Sequence, residues 1–295
     1  MAANDAQLYT ASITPLLPSG DLDVGLVDEY HQWLEASGVD GVFAMGTTGE
    51  FVALDDDERT AVIASAVKVF GPDRVIAHVG APSLRQASRL TAAARDVGAT
   101  RFAAMTPYFE VAHRAALADY YTDLDSIGRG QFYAYHFPAR TTVLLSPEQL
   151  REIVTQAGLV GIKVSGMRTE ETLAYVDPLD ASFEVFTGND VTFADCVRGG
   201  AAGAVSGMSA AFPAVFVGLR DALRSGDEEA ITLAQARVER VVTACEGANF
   251  ALVKKALDLQ GIPAGPCRVA LDEPSAEQVA VLRETLDRLE IAPVG

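Results

Sequence analysis

Residues 159–165 read Leu-Val-Gly-Ile-Lys-Val-Ser, a short apolar run interrupted near its end by one charged side chain, Lys163. Four to eight continuous apolar residues without alternation mark a strand buried on both faces, the kind found in a parallel sheet covered by helices. A lysine in such a run needs a reason beyond packing, because its ammonium must be desolvated or paired. The chain holds four lysines, Lys68, Lys163, Lys254 and Lys255, so Lys163 is not part of a basic surface. Desolvation lowers a lysine pKa toward the range where the neutral amine attacks a carbonyl. A snorkelling or salt-bridged lysine is the structural alternative.

Working outward, the same arrangement repeats on both sides. Apolar runs at 8–15, 41–46, 74–80, 101–109, 130–138, 182–188 and 203–207 join 159–165 to give eight candidate strands. Between and after them, segments 24–36, 56–69, 84–97, 113–126, 147–156, 169–176, 191–199 and 212–224 carry helical periodicity. Eight strand–helix units in succession predict an α/β fold, a (β/α)8 TIM barrel, in preference to an open doubly wound sheet. After Gly226 only helices follow, at 228–245, 250–260 and 275–289. The expected organisation is a barrel domain over 1–225 with a C-terminal helical appendage over 226–295.

Composition narrows the function classes. The 295 residues are 49% hydrophobic with a formal charge of −17. Nucleic-acid binding is a poor expectation, because phosphate neutralisation needs clustered Lys and Arg. Every apolar run is broken by charge well short of a membrane span. The opening MAANDAQ has neither a basic region nor an apolar core, which predicts no secretory signal. Three scattered cysteines, Cys196, Cys245 and Cys267, suggest a reducing cytoplasm and neither a disulfide framework nor a zinc cluster. No dinucleotide fingerprint or phosphate-loop motif is present.

In a barrel of this kind the carboxyl ends of the strands face one common site. Reading them in order gathers Thr14, Gly46 with Thr47 and Thr48, Tyr108 and Phe109, Tyr135 with His136, Lys163, Gly188 with Asn189 and Asp190, and Ser206 to Ser209. Hydroxyls, a tyrosine and a lysine converge with few carboxylates, which suits an amine site better than a carboxylate-bound metal. The GTTGE turn at 46–50 offers backbone N–H groups and two hydroxyls to a small anion. His78 is the remaining histidine on a strand that approaches this set.

These pieces carry a resemblance. TP at 14–15, GTTGE at 46–50, TPYF at 106–109, YHFPART at 135–141, GIK at 161–163, GND at 188–190 and ALVKKAL at 251–257 resemble the dihydrodipicolinate synthase and N-acetylneuraminate lyase family, the class I pyruvate-dependent aldolases. The resemblance covers essentially the whole chain. It implies that Lys163 forms the Schiff base and Tyr135 shuttles protons. Thr47 and Thr48 would hold the pyruvate carboxylate, with Thr47 also orienting the tyrosine. Arg140 would grip the carboxylate of a second substrate. The chemistry needs no metal and no organic cofactor. The resemblance also implies a homo-oligomer, a tetramer built from tight dimers, with Tyr108 and Phe109 at the subunit contact.

Three departures bear on the substrate. Phe109 stands where lysine-pathway members carry a tyrosine donated to the neighbouring subunit. The usual YNxP is YHFP, with His136 facing substrate or packing on the loop. Val164 follows the lysine where an acidic residue is common. The first expectation is therefore a lyase or aldolase joining or splitting pyruvate and an aldehyde, such as a 2-keto-3-deoxy sugar acid aldolase, with Gly188, Asn189 and Ser206 seeking sugar hydroxyls. The alternative is 4-hydroxy-tetrahydrodipicolinate synthase. In another class altogether, Lys163 would serve a non-catalytic 2-oxo-acid-binding protein as a carboxylate-binding cation.

Overall fold

The computed structural model describes residues 5–110, 112–176, 182–247 and 249–293. Among them, eight parallel strands close into a barrel in sequence order. They are β1 (Gln7–Ala11), β2 (Gly41–Ala44), β3 (Val75–His78), β4 (Arg101–Met105), β5 (Gln131–His136), β6 (Gly161–Val164), β7 (Glu184–Thr187) and β8 (Gly203–Ser206). Closure is by β1 against β8, with Tyr9 opposite Val205. The continuous apolar runs become strands that are almost entirely buried, as expected when one face fills the barrel and the other lies under helices.

The helical periodicity of the sequence translates directly into helices. α1 (Val24–Ala36) begins where Asp23 accepts a hydrogen bond from Leu26 N, and α2 (Asp56–Phe70) where Asp55 and Glu58 form a reciprocal capping box. α3 (Leu84–Asp96) and α4 (Arg114–Gly128) follow. One helix has no sequence signal: α5 (Pro138–Thr141) is a single turn started by proline, too short for any periodicity, and it carries Arg140. α6 (Pro147–Ala157), α7 (Thr169–Leu173), α8 (Phe193–Arg198) and α9 (Pro213–Ser225) complete the outer layer.

Three helices lie beyond the barrel: α10 (Glu228–Ala244), α11 (Phe250–Leu259) and α12 (Ala276–Arg288). Their buried residues, among them Val238, Leu252, Leu257 and Leu282, belong to the same apolar cluster as the barrel strands. Among the described residues no helix is long and apolar enough to cross a membrane.

Side chains fill the barrel in layers. Near the amino ends of the strands, Tyr9, Arg101, Tyr133 and Glu184 meet in the interior. Gly161 of the opening stretch exists to admit them, since a Cβ there would sit 2.6 Å from the Tyr133 ring. Toward the carboxyl ends the interior passes through Phe43 and Phe186 to His78, Tyr135 and Lys163.

Candidate active site

At the carboxyl ends of the strands lies a cavity of about 280 Å³ whose floor is Lys163 and Tyr135. Lys163 is 5% exposed and its Nζ sits 4.4 Å from the ring centroids of both Phe43 and Tyr135. Burial lowers its pKa to about 7, an effect that the negative charge of Asp190 partly offsets. A substantial share of the amine is therefore free near neutrality. Asp190, half-buried and lining the cavity, is raised to about 6 by desolvation, with Ser206, the Met208 N–H and Lys163 pulling the other way. Its Oδ2 accepts from Met208 N at 3.3 Å, while Oδ1 has no hydrogen-bond partner among the described residues.

The Tyr135 hydroxyl is 3.0 Å from Thr47 Oγ1. Burial raises the phenol pKa, opposed by hydrogen bonding to Thr47 and Ser165 and by the charge of Arg140. Tyr135 thus stays protonated, with its hydroxyl oxygen held between Thr47 and Ser165. Strand alternation explains the pairing: in the β5–β6 register Tyr135 lies opposite Lys163, so both point inward at the same level. Gly188 follows at the end of β7, where a Cβ would fall 2.0 Å from Ser165 Oγ and 3.1 Å from Lys163 Cε. The glycine makes room for the lysine.

The GTTGE loop is bracketed by two non-glycine residues in the left-handed region, Met45 at φ 61° and Glu50 at φ 56°. Inside it, Gly49 N donates to Gly46 O and Glu50 N to Thr47 O, each at 3.1 Å. His78 approaches from below: its Nδ1 is 2.7 Å from Met45 O, and Nε2 accepts from Met105 N at 3.2 Å. These partners assign the Nδ1–H tautomer and tie β2 to β4 beneath Tyr135, whose ring His78 meets edge-on.

From the sequence-derived set the structure brings Thr47, Thr48, Tyr135, Arg140, Lys163, Gly188, Asn189 and Asp190 to the cavity wall, together with Gly207 and Met208 of the 206–209 stretch. Arg140 has no carboxylate partner among the described residues, and its guanidinium lies 5.9 Å above the Phe137 ring. The others sit elsewhere. Gly46 is inside the loop turn, and Thr14 braces that turn by donating to Gly49 O at 2.7 Å. His136 and Ser206 occupy the outward parity of β5 and β8. His136 Nε2 accepts from Leu145 N at 3.4 Å, and its ring packs on Tyr175. Ser206 Oγ accepts from Ser209 N at 2.9 Å. Tyr108 packs edge-on against Phe51, and Phe109 is 92% exposed with φ 80°, away from the cavity of its own chain.

Cavity residues that site-reading from the sequence passed over are Ser165, Val205, and Val242 and Phe250 from the C-terminal helices. Parity along the strands would have placed Val205 and Ser165 inside and His136 outside once Tyr135 was fixed. For Val242 and Phe250 the sequence holds no such signal, because only chain packing brings those helices to the mouth.

A desolvated lysine beside a tyrosine held by threonine, at the carboxyl end of a (β/α)8 barrel, defines a class I lyase or aldolase that works through a lysine imine. The chain belongs to the dihydrodipicolinate synthetase family, whose model matches residues 4–289. It is 31% identical over 284 residues to a 4-hydroxy-tetrahydrodipicolinate synthase of Methanoculleus marisnigri, covering 95% of this chain and 97% of that protein. The dihydrodipicolinate synthase of Aquifex aeolicus superposes with a TM-score of 0.91 at 25% identity, covering 99% of this chain and 100% of that one. A chloride-inhibited dihydrodipicolinate synthase from Acinetobacter baumannii, solved with pyruvate, gives 0.89 at 26% identity over 97% of this chain and 99% of that one. The protein is an enzyme that acts on small 2-oxo acid and aldehyde substrates through Schiff-base chemistry.

Proposed function

We propose that this enzyme condenses pyruvate with a small aldehyde that bears a carboxylate, aspartate semialdehyde first among them, and so acts as a 4-hydroxy-tetrahydrodipicolinate synthase. The observation that carries the imine step is the placement of Lys163 Nζ, desolvated and facing a cavity beside the Tyr135–Thr47 pair. Thr47 and Thr48 hold the pyruvate carboxylate. The neutral amine adds to the ketone, and the resulting carbinolamine loses water to give a cationic imine. That cation accepts the electron pair as a proton leaves C3, forming an enamine. The enamine carbon attacks the aldehyde carbon, whose oxygen takes up a proton. The amino group of the semialdehyde then adds to the imine carbon and expels the Lys163 amine, closing the ring, whereas an aldehyde without an amine leaves by hydrolysis of the imine. Tyr135 passes the protons at the carbinolamine and aldehyde oxygens, with Thr47 fixing its hydroxyl.

Arg140, which lines the cavity and has no carboxylate partner among the described residues, suits a bidentate grip on a second carboxylate. Together with the names of the relatives, this favours the synthase over the sugar-acid aldolase that the sequence put first. A second reading, cleavage of a 2-keto-3-deoxy sugar acid, keeps support from two features: Asn189 and Asp190 line the cavity, and Phe109 offers no hydroxyl. Assembly as a homotetramer, with a dimer as the alternative, would bury the exposed Phe109 against a second copy. Residues 226–295 then serve as a helical subdomain closing the site over residues 1–225. The free cysteines fit action in the cytoplasm.

Borohydride reduction with pyruvate, followed by mass spectrometry, tests the imine. One reduced adduct on Lys163 is expected, and a folded sample that yields none overturns the reading in favour of a non-catalytic binding protein. Supplying aspartate semialdehyde or 2-keto-3-deoxygluconate separates the two substrates: turnover of the sugar acid alone replaces the synthase by the aldolase.

A further inference from the structure

The motif ALVKKAL of α11 and the glutamate that ends GTTGE have no part in the chemistry above, yet they meet in the core. Lys254 and Glu50 have side chains 2% and 0% exposed, and Lys254 Nζ lies 2.6 Å from Glu50 Oε1. That contact is an ion pair without good hydrogen-bond alignment at Oε1; the directed hydrogen bond of Lys254 goes to Pro266 O at 2.8 Å. Glu50 Oε2 accepts from Arg268 N at 2.7 Å and Val269 N at 2.9 Å. A fully buried carboxylate in the left-handed region is costly twice over, in desolvation and in backbone conformation, and persists only where its surroundings fix it. The residue so fixed donates its N–H to Thr47 O. At the other end of the same contact, α11 starts with Phe250, which forms part of the cavity wall.

Taking Thr47 and Thr48 as the pyruvate-binding pair, as proposed above, we infer that Glu50 and Lys254 are positioning residues. Their buried ion pair holds the threonine loop at a fixed distance from the C-terminal helices, so those helices set the affinity of the site for the 2-oxo acid. A misplacement of about 1 Å costs on the order of 10²-fold in rate at a reacting centre, and the same shift of Thr47 and Thr48 takes their hydrogen bonds to a carboxylate out of range. Neither residue touches substrate; both act through the loop.

The test compares wild type with the double variant E50Q/K254M, which removes both charges and so avoids leaving one buried alone. Lys254→Arg keeps the pair. Leu124→Ala, in the core face of α4, is a control that lowers stability while leaving the threonine loop and the C-terminal helices intact. The readouts are the melting temperature and the pyruvate concentration giving half-maximal borohydride trapping on Lys163. We expect the double variant to raise that concentration about tenfold or more. Lys254→Arg should stay near wild type, and Leu124→Ala should lower the melting temperature with unchanged half-saturation. If the double variant does not fold, Glu50→Asp, which withdraws the carboxylate from Lys254, takes its place with the same expectation. Folded E50Q/K254M, or E50D in its place, with wild-type half-saturation overturns the inference. Failure of wild type to trap pyruvate overturns instead the functional reading on which it rests.

Discussion

The two ends of the barrel interior both bury a cation, and they treat it in opposite ways. At the amino ends of the strands, Arg101 donates to the hydroxyls of Tyr9 and Tyr133, to Glu184 Oε2 at 3.2 Å and to Asp73 O at 3.1 Å, leaving only Nε unmatched. Gln7 adds a hydrogen bond to Glu184 Oε1 at 3.0 Å. At the carboxyl ends, Lys163 rests on aromatic faces and has no hydrogen-bond acceptor among the described residues, while Asp190 keeps one oxygen free. A cation with its partners supplied plugs the barrel and serves stability. One left short of partners is unstable as a cation, and that is the condition for nucleophilic chemistry.

The sharpest way to break this contrast is Lys163→Ala. Turnover should fall by about 10⁴-fold or more, since among the described residues no other amine lines the cavity. The melting temperature should hold or rise, because an uncompensated buried amine is removed. Residual lyase activity near wild type, measured with the preferred aldehyde, would end the imine mechanism. Arg101→Met should do the reverse. Stripping the cation from two phenols and a partly buried carboxylate is expected to cost about 3 kcal/mol in denaturant unfolding, with kcat/KM of the folded fraction unchanged. A catalytic defect without loss of stability would erase the distinction between the two ends.

Tyr135→Phe sharpens the upper site by keeping its packing and deleting one hydroxyl. We expect kcat to drop about 10²-fold, the scale of a positioned proton donor, with little change in half-saturation by pyruvate. An unchanged kcat would assign the proton transfer to another group. The smallest effect is on pH. Because burial depresses the Lys163 pKa to about 7, its amine is neutral above that pH and charged below it. The rate of imine trapping should fall roughly tenfold per pH unit below about 7 and level off above it. A limb that climbs to about 10 would mean an ordinary, solvated lysine.

Much of this was legible in the chain because local rules carry it. Capping by Asp23 and Asp55 puts helix starts at 24 and 56, and eight buried runs in alternation with helices leave few alternatives to a closed barrel. Tyr135 and Lys163 could be placed opposite each other from strand-end position alone. His136 was drawn into the site by proximity in sequence, although the two-residue period of a strand turns it to the helix side; Ser206 shares that outward parity and meets the site only through its hydrogen bond to Asp190. Arg140 was assigned through the family resemblance of YHFPART at 135–141, while the single-turn helix that holds it left no trace.

What the sequence by itself determined is therefore the repeating layer and the inventory of groups at one end of it, since periodicity and capping act over a few residues. Tertiary structure alone decided which of those groups share a cavity, how far each is desolvated, and that Val242 and Phe250 complete the wall. It also decided that Lys254 finds Glu50 across the fold. Burial and pairing depend on contacts between residues far apart in the chain, and those contacts exist only once the barrel has closed and the last helices have packed across its mouth.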